Sequence, residues 1–373
     1  MCRWTAALCA LLILSVSARA DEAPKADLII HNARVLTVDA KFTIAQAVAV
    51  RQDKIQAVGD DRSVLALKGP ETKVIDAGGK VLMPGLYDSH THPVGAATSE
   101  AIRPIPVLRS LKDVFDAIRE RAKTTPEGEW IALYYAFPTR LDEARFPTKE
   151  ELDRVAPKHP VLYHAGPAGI VNSMALKVSG ITKDTRNPTN GVIVKDPVTG
   201  EPTGMLRSAY GVLKGVGREE ASLEQSKKVE AVKKLFAMYN ERGLTSVADR
   251  NAGRDALDLY LGLKKAGELT VRVNVARSFG TGGTREEVAR RFDALPGKDG
   301  LGGPTGVGDE MVRIGPIKMF LDGGMLNGTA YMRKPWPKGD TYQITEDDYR
   351  GLLFIQPEQL RMVVEEGAKR KWQ

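Results

Sequence analysis

The stretch that decides the fold runs from residue 76 to residue 92 and reads Asp76-Ala-Gly-Gly-Lys-Val-Leu-Met-Pro-Gly-Leu-Tyr-Asp-Ser-His-Thr-His92. It combines an apolar strand, a Pro-Gly turn, and the pair His90 and His92 at a strand end. Positions i and i+2 of an extended strand point to the same side, so two imidazoles can face one metal ion, and zinc accepts such ligands. The alternative is that both histidines merely bond backbone carbonyls at the end of the strand.

The composition of the 373 residues is that of an ordinary globular protein, with 42% hydrophobic and 27% charged residues. This composition excludes collagen-like, low-complexity and disordered classes. The formal net charge of +7 is spread along the chain rather than gathered in one block. We therefore expect no nucleic-acid partner and no membrane-surface partner.

Residues 1–20 have the features of a secretory signal peptide: a positively charged start, an apolar run, and the small-x-small sequence Ala18-Arg-Ala20. We predict that the protein is exported, to the periplasm or outside the cell, without stable membrane association after cleavage. The alternative is a membrane anchor, but the apolar run is shorter than the roughly twenty residues that a span needs. Cys2 and Cys9 both lie in this segment, so the mature chain would contain no disulfide and no cysteine ligand.

The predicted pattern of strands, helices and turns changes several times along the rest of the chain. Short β-branched segments separated by turns predict a small antiparallel β unit over residues 26–81, which needs a partner sheet. Residues 82–97 contain a strand with the histidine motif. Residues 98–222 predict an inserted α+β subdomain, because the stretch from about 140 to 216 is rich in Pro and Gly and does not alternate regularly between strand and helix. Strands that alternate with amphipathic helices over 223–373 predict a parallel sheet with right-handed crossovers. The predicted elements include a strand over Thr245–Ala248 and helices over Thr284–Leu295 and Pro357–Lys369.

Within this last section the pattern predicts a helix that begins at Ser222, with Gln225 as its capping partner. The last strand is predicted over Ile317–Leu321. Because Ile317 and Met319 are both apolar, alternation places Lys318 on the opposite side, toward a polar site or toward water.

The stretch from Asp76 to His92 resembles the entry to the metal-dependent amidohydrolase superfamily. Further segments resemble amidohydrolase family 3, the branch of N-substituted formamide deformylase-like enzymes, and they occur in the right order over essentially the whole mature chain. These segments are Pro160-Val-Leu-Tyr-His164, Val171-Asn-Ser-Met-Ala-Leu176, Gly200-Glu-Pro-Thr-Gly-Met-Leu206, Gly243-Leu-Thr-Ser-Val-Ala248 and Ile317-Lys-Met-Phe-Leu-Asp-Gly323.

The resemblance implies an α/β fold, a TIM-like (β/α)₈ barrel with an N-terminal half β-sandwich. It implies that His90 and His92 hold a divalent metal, one or two ions of zinc, and that Lys318 bridges the metals as a CO₂-derived carbamate. In this family the metals acidify a water that attacks an amide carbonyl. Histidines of strands five and six complete the coordination, and an aspartate at the end of strand eight is the general base.

All five histidines precede residue 165, and counting from the histidine motif gives about four barrel strands. We therefore expect a C-terminally truncated, incomplete barrel, with the catalytic aspartate beyond Gln373 and no catalytic residue in this chain, which is inactive alone. The predicted function is a metal-dependent hydrolase of non-peptide C–N bonds in a small amide, N-acyl or formamide substrate. The alternative is an inactive remnant that binds at most one metal or a small ligand.

The chain also departs locally from its family. Members commonly carry Gly-His just upstream of the Asn-Ser pair, whereas here Gly166-Pro167 precedes Asn172 and His164 is displaced. Asn172 either lines a pocket or caps the helix that starts at Ser173.

Overall fold

The computed structural model describes residues 23–102, 104, 106–216, 223–297 and 300–373. The predicted signal peptide with Cys2 and Cys9, and the predicted helix start at Ser222, lie outside the described residues. Contacts between residues divide the chain into two compact units, with the boundary between Gly85 and Leu86. This boundary falls inside the stretch from residue 76 to residue 92.

The first unit consists of short strands and a short helix. Its elements are β1 (Leu28–His31), β2 (Arg34–Leu36), β3 (Ile44–Ala45), β4 (Ala47–Arg51), β5 (Lys54–Gly59), α1 (Asp61–Leu65), β6 (Lys73–Asp76) and β7 (Val81–Leu82). They form two sheets, with strand orders β5-β4-β1-β6 and β3-β2-β7. Apolar side chains such as Ile29, Ala49 and Val64 of α1 form its larger core.

The prediction that this unit is antiparallel is wrong for two of its strand pairs. Strand β6 runs parallel to β1, and β7 runs parallel to β2. A parallel neighbour needs a crossover rather than a hairpin. Helix α1, which sequence analysis missed, lies in the crossover before β6, and the Asp60 side chain caps it by accepting from Ser63 N.

The second unit contains the histidine motif. Its strands are β8 (Leu86–Thr91), β9 (Ile131–Leu133), β10 (Val161–Ala165), β11 (Ala168–Val171), β12 (Val192–Lys195), β13 (Pro202–Arg207), β14 (Leu244–Ala252), β15 (Arg272–Ser278) and β16 (Val312–Lys318). Its helices are α2 (Pro93–Ile102), α3 (Leu111–Thr124), α4 (Lys149–Val155), α5 (Ser173–Ser179), α6 (Gln225–Glu241), α7 (Arg254–Lys265), α8 (Arg285–Ala294) and α9 (Pro357–Lys369).

Four strands of this unit form a parallel sheet in the order β16-β15-β14-β8. Each of the three neighbouring pairs β8/β14, β14/β15 and β15/β16 is joined by a connection that contains helix, as parallel pairing requires. Because all four strands point the same way, their carboxyl ends meet at one edge of the sheet. Thr91, Lys318 and the segment after Ala248 lie at that edge.

The core of this sheet lies on the face that the helices cover. Strand residues such as Val247, Val273 and Ile314 pack there against Phe236 of α6 and Phe292 of α8. Helix α6 begins at Gln225 after Glu224, which makes no side-chain cap, so Gln225 is not the capping partner that we predicted. No helix in the described part of the chain combines the length and the apolar character needed to cross a bilayer.

The predicted strand Ile317–Leu321 is wrong at both ends, because β16 begins at Val312 and ends at Lys318. Beyond that point the backbone leaves the sheet: Gly323 N donates to Leu352 O, and Phe354 N donates to Leu321 O. The chain therefore pairs with its own later residues rather than continuing the strand.

The inserted region between α2 and α6 contains a second sheet, in the order β12-β13-β11-β10-β9. Strand β9 runs parallel to β10 and the other pairs are antiparallel. Alternate residues face two separate cores: Tyr163 and Met205 pack with α3 and α4, whereas Leu162 and Leu206 pack with α5. Helices on both sides of the sheet account for the nearly continuous burial of β10 and β11.

The segment from residue 319 to residue 356, after Lys318, packs on this inserted sheet. Asn327, itself buried, donates to Ala165 O at 2.8 Å. Arg207, 2% exposed, binds Glu346 with a nitrogen–oxygen distance of 2.7 Å. Burial would raise the pKa of Glu346, but the hydrogen bond and charge of Arg207 outweigh it and hold the pKa below its usual value. These contacts tie the loop that follows the lysine strand to the insertion.

Candidate metal centre

His90 and His92 lie at the carboxyl end of β8, where two polar contacts hold the backbone. Asp88 Oδ1 accepts from His90 N at 2.9 Å. Arg250 of the neighbouring strand β14 donates from Nε to Ser89 O at 2.7 Å. The backbone that leads into the histidine pair is therefore anchored, although β8 itself is largely exposed.

The two imidazole rings contact each other edge to face, with centroids 5.4 Å apart and an interplanar angle of 89°. Two imidazoles that share one tetrahedral ion, each with a nitrogen about 2.0–2.1 Å from it, have ring centroids roughly 5 Å apart. The spacing of His90 and His92 is thus close to that of a shared ligand pair.

The electrostatics at His90 favour its neutral form. Burial is the main cause that lowers the pKa of His90, followed by the charges of His92, Lys318 and Arg250, and only Asp88 opposes them. A neutral imidazole is the form that binds a metal. Lys318 thus acts electrostatically on His90, although the two residues come from different strands.

Lys318 is the last residue of β16, in register with Ser278 of β15. Its neighbours Ile317 and Met319 pack against the core of the sheet, so Lys318 lies on the other side, as alternation predicts. Its Nζ lies 4.7 Å from the centroid of the Phe320 ring.

A buried carboxylate that was not predicted from the sequence, Asp249, lies beside the histidine pair. Its Oδ1 lies 3.7 Å from His92 Nδ1, and its Oδ2 accepts from Tyr260 OH at 2.8 Å. Burial and the charge of Asp249 raise the pKa of Tyr260 well above its usual value, so the hydroxyl stays a donor. One sequence feature could have pointed to Asp249: it is an acidic residue that directly follows the apolar strand predicted to end at Ala248.

Irregular pairing directs Asp249 toward His92. Asp249 is in register with Thr91, and the pairing of β14 with β8 shifts between Val247 and Asp249. Such a shift changes the direction of a side chain, and it is common beside functional sites.

The fit of this site to a metal is best judged from its donor atoms. Asn251 Oδ1, two residues after Asp249, is buried without a hydrogen-bond partner, and so is Thr91 Oγ1, which alternation places on the opposite side of β8 from both imidazoles. Unpaired buried polar atoms are uncommon in proteins and mark places where a ligand or water belongs. Within residues 23–102, 104, 106–216, 223–297 and 300–373, no three His, Cys, Asp or Glu side chains lie close enough together to hold a metal ion. The residues thus fit a metal held by a histidine pair, with further ligands needed.

Two other residues singled out from the sequence, Asn172 and His164, lie in the inserted region. Asn172 is fully buried and caps α5: its Oδ1 accepts from Ala175 N at 3.0 Å and from Val161 N at 2.9 Å, and its Nδ2 donates to His159 O at 2.9 Å. The capping interpretation is therefore right, and all the polar atoms of its amide are occupied by the backbone.

His164 is held between two aromatic rings. The ring centroids of Tyr134 and Tyr210 lie 5.2 Å and 4.7 Å from that of His164. Gly166 N donates to His164 Nδ1 at 3.3 Å. Burial is the main cause that lowers the pKa of His164, to about 4, so the ring is neutral at pH 7.

Comparison with known families gives the identity. The sequence profile of the amidohydrolase family, of the family-3 branch, matches residues 73–373. The chain belongs to the amidohydrolase family. The resemblance read from the motifs is thereby confirmed, and the match includes both the histidine pair and Lys318.

Two curated amidohydrolase relatives illustrate the range of similarity. N-substituted formamide deformylase of Arthrobacter pascens is 33% identical over 249 residues, which cover 65% of this chain and 46% of that protein. Putative amidohydrolase YtcJ of Bacillus subtilis is 27% identical over 341 residues, which cover 87% of this chain and 60% of that protein. The chain thus spans about half the length of these relatives.

Two solved structures share the fold. They are uncharacterized metal-dependent hydrolases from Pyrococcus furiosus and Pyrococcus horikoshii, with TM-scores of 0.54 and 0.55 and sequence identities of 18% and 20%. Each comparison covers 92% of this chain, and 65% and 63% of the respective neighbour. The α/β part of the predicted fold class is confirmed. The number of barrel strands and the half β-sandwich stay predictions.

Proposed function

We propose that this amidohydrolase is a metal-dependent hydrolase that acts on non-peptide C–N bonds of a small amide, N-acyl or formamide substrate. The observation that carries the proposal is the histidine pair at the carboxyl end of a parallel strand, at nearly the ring spacing of a shared ligand pair. The relative named N-substituted formamide deformylase supports the substrate class.

In the proposed site His90 and His92 hold the ion through ring nitrogens, and the lowered pKa of His90 favours the neutral ring that binds a metal. A divalent ion, zinc in our proposal, supplies an acidified water and polarises the substrate carbonyl when it is bound. Lys318 contributes as a carbamate, an anionic two-oxygen ligand, whereas its ammonium form would repel the ion. The carbamate would hold one ion or bridge two.

Two further features complete this proposal. The sheet of β8, β14, β15 and β16 represents the first four strands of a TIM-like (β/α)₈ barrel, because these strands are parallel and follow one another in chain order. The leader-like sequence of residues 1–20 supports export to the periplasm or beyond.

A second candidate function is that of an inactive remnant that binds at most one metal or a small ligand. The observation that favours it is that the described residues bring no three His, Cys, Asp or Glu side chains together as a cage. On this reading the 373 residues bind an ion weakly and turn over no amide.

One experiment separates the two functions. Equilibrium dialysis with zinc, followed by metal analysis, is done on the 373-residue chain, on His90→Ala and on His92→Ala, with His31→Ala of β1 as the matched control. We expect the chain and the control to retain zinc and the two variants of the pair to lose it. Hydrolysis of N-substituted formamides is then measured on the same samples.

The outcomes of this experiment are distinct. Turnover that disappears in His90→Ala supports the hydrolase and contradicts the remnant. Zinc binding without any turnover supports the remnant. A chain that retains no more zinc than His90→Ala contradicts the hydrolase, because the proposed reaction needs the ion on the histidine pair.

A further inference from the structure

Asp249 is the most firmly fixed charged group beside the histidine pair. The side chain of Asp249 is 4% exposed and that of His92 is 50% exposed. Tyr260 OH, from α7, holds Oδ2 at 2.8 Å, and Asn251 N donates to Oδ1 at 3.2 Å. The carboxylate is thus the rigid partner, and the half-exposed imidazole is the one that can turn toward it.

The contact joins a specific pair of atoms. Asp249 Oδ1 faces Nδ1 of His92 at 3.7 Å, which is within ion-pair distance and longer than a hydrogen bond. A carboxylate that accepts the proton of one ring nitrogen leaves the other nitrogen as the ligand. A small rotation of the exposed ring closes this contact without moving the buried carboxylate.

We propose that Asp249 is a positioning residue that orients His92 as a metal ligand through Nδ1, with Tyr260 fixing the carboxylate. This inference rests on the proposed metal at the histidine pair and goes beyond it, because it assigns the tautomer of His92 and a role to β14 and α7. A buried carboxylate in this place is also compensated by the positive charge that the site receives.

The geometry argues against Asp249 as a direct ligand. Tyr260 OH and Asn251 N each donate to one of its oxygens, which holds the carboxylate in place beside His92. In the described part of the chain, Asp249 does not join His90 and His92 in a cage of three metal-binding side chains. Its oxygen lies near Nδ1 of one ring rather than between the two rings. The carboxylate therefore acts through His92.

The first test measures metal affinity. Dissociation constants of Co²⁺ and Zn²⁺ are determined by competition with a chromophoric chelator on the 373-residue chain. Loss of an outer carboxylate of this kind weakens metal binding about 10–100-fold, so we expect roughly 10-fold for Asp249→Asn and roughly 100-fold for Asp249→Ala. Asp258→Asn is the matched control, because it removes an exposed carboxylate on α7 that pairs with Arg254, and its affinity should equal that of the chain itself.

The second test separates positioning from a structural role. His92→Ala keeps a weaker zinc affinity that is titrated at zinc concentrations far above those of the dialysis, and adding Asp249→Asn should not change it further, because the carboxylate no longer has a ring to orient. A further loss in that background would overturn the proposal. The zinc-loaded chain is also examined by ¹⁵N NMR, with the His92 signals assigned from their absence in His92→Asn.

The NMR result is decisive independently of the affinities. We expect the proton of His92 on Nδ1 in the chain itself and a shift of the population toward Nε2 in Asp249→Asn, whose amide can donate to Nδ1. A proton on Nε2 in the chain itself would overturn the proposal. If Asp249→Asn binds metal as tightly as the chain itself while the histidine variants lose metal, only the role of Asp249 is refuted. If the chain itself binds no metal, this role and the proposed function are refuted together.

Discussion

The neutral state of His164 makes the stability of the protein depend on pH. Burial against Tyr134 and Tyr210 lowers the pKa of His164 from 6.5 to about 4, while in the unfolded chain the ring titrates near its ordinary value. Between these two pH values the unfolded chain binds a proton that the folded chain does not. The contribution to stability is therefore fully present above pH 6.5 and is lost as the pH falls toward 4.

The size of the effect follows from the two pKa values. Each pKa unit corresponds to about 1.4 kcal/mol, so the fall from 6.5 to about 4 is worth at most about 3.5 kcal/mol, of which about 3 kcal/mol is lost by pH 4. Replacement of His164 by Asn removes the titrating ring while the amide oxygen can still accept the hydrogen bond of Gly166 N. The variant should lose about 3 kcal/mol less than the unmodified chain between pH 7 and pH 4.

The assay is urea unfolding at pH 7, 5.5 and 4, followed by both tryptophan fluorescence and circular dichroism, so that coincident transitions justify a two-state treatment. Other titrating groups act equally in both proteins and cancel in the difference. An NMR titration of the imidazole gives the pKa of His164 directly. The reasoning is wrong if both proteins lose the same stability, or if the His164 ring titrates near 6.5.

Further predictions concern the backbone cap, the loop contact and the metal site. Asn172→Ala leaves Val161 N and Ala175 N buried without their acceptor, and we expect the free energy of unfolding to fall by roughly 3 kcal/mol, measured by urea unfolding; a loss below about 1 kcal/mol would contradict the cap. Arg207→Met removes the pairing with Glu346, and hydrogen exchange near residue 346 should become several-fold faster, whereas equal rates would show that this contact does not hold the segment. His90→Ala and His92→Ala should abolish zinc retention in dialysis, and Asp249→Asn should weaken it about 10-fold.

Much of the fold could be predicted because it depends on residues that are close in the sequence. The helix Pro357–Lys369 was predicted with the bounds that the structure shows. Thr284, where a helix was expected to begin, is the N-cap of α8, and it forms a reciprocal capping box with Glu287. Both signals extend over one or two helical turns, so no distant contact is needed to read them.

The candidate site was predictable only in part. The spacing of His90 and His92 and the alternation around Lys318 are local patterns. Asp249 had no such pattern, because its partners His92 and Tyr260 are reached only through strand pairing and helix packing. The strand that carries Lys318 was misplaced for a similar reason, since it ends where the backbone pairs with residues 352 and 354 instead of the sheet.

The sequence by itself determined the family, the alternation of strands and helices in the second unit, and the residue types that can hold a metal. Only the tertiary structure decided that β6 and β7 pair in parallel, that the segment after Lys318 packs on the inserted sheet, and that a buried carboxylate faces His92. The physical reason is that periodicity and capping are set by neighbours along the chain. Strand partners and buried charges are set by which distant segments can satisfy each other's hydrogen bonds and exclude water together.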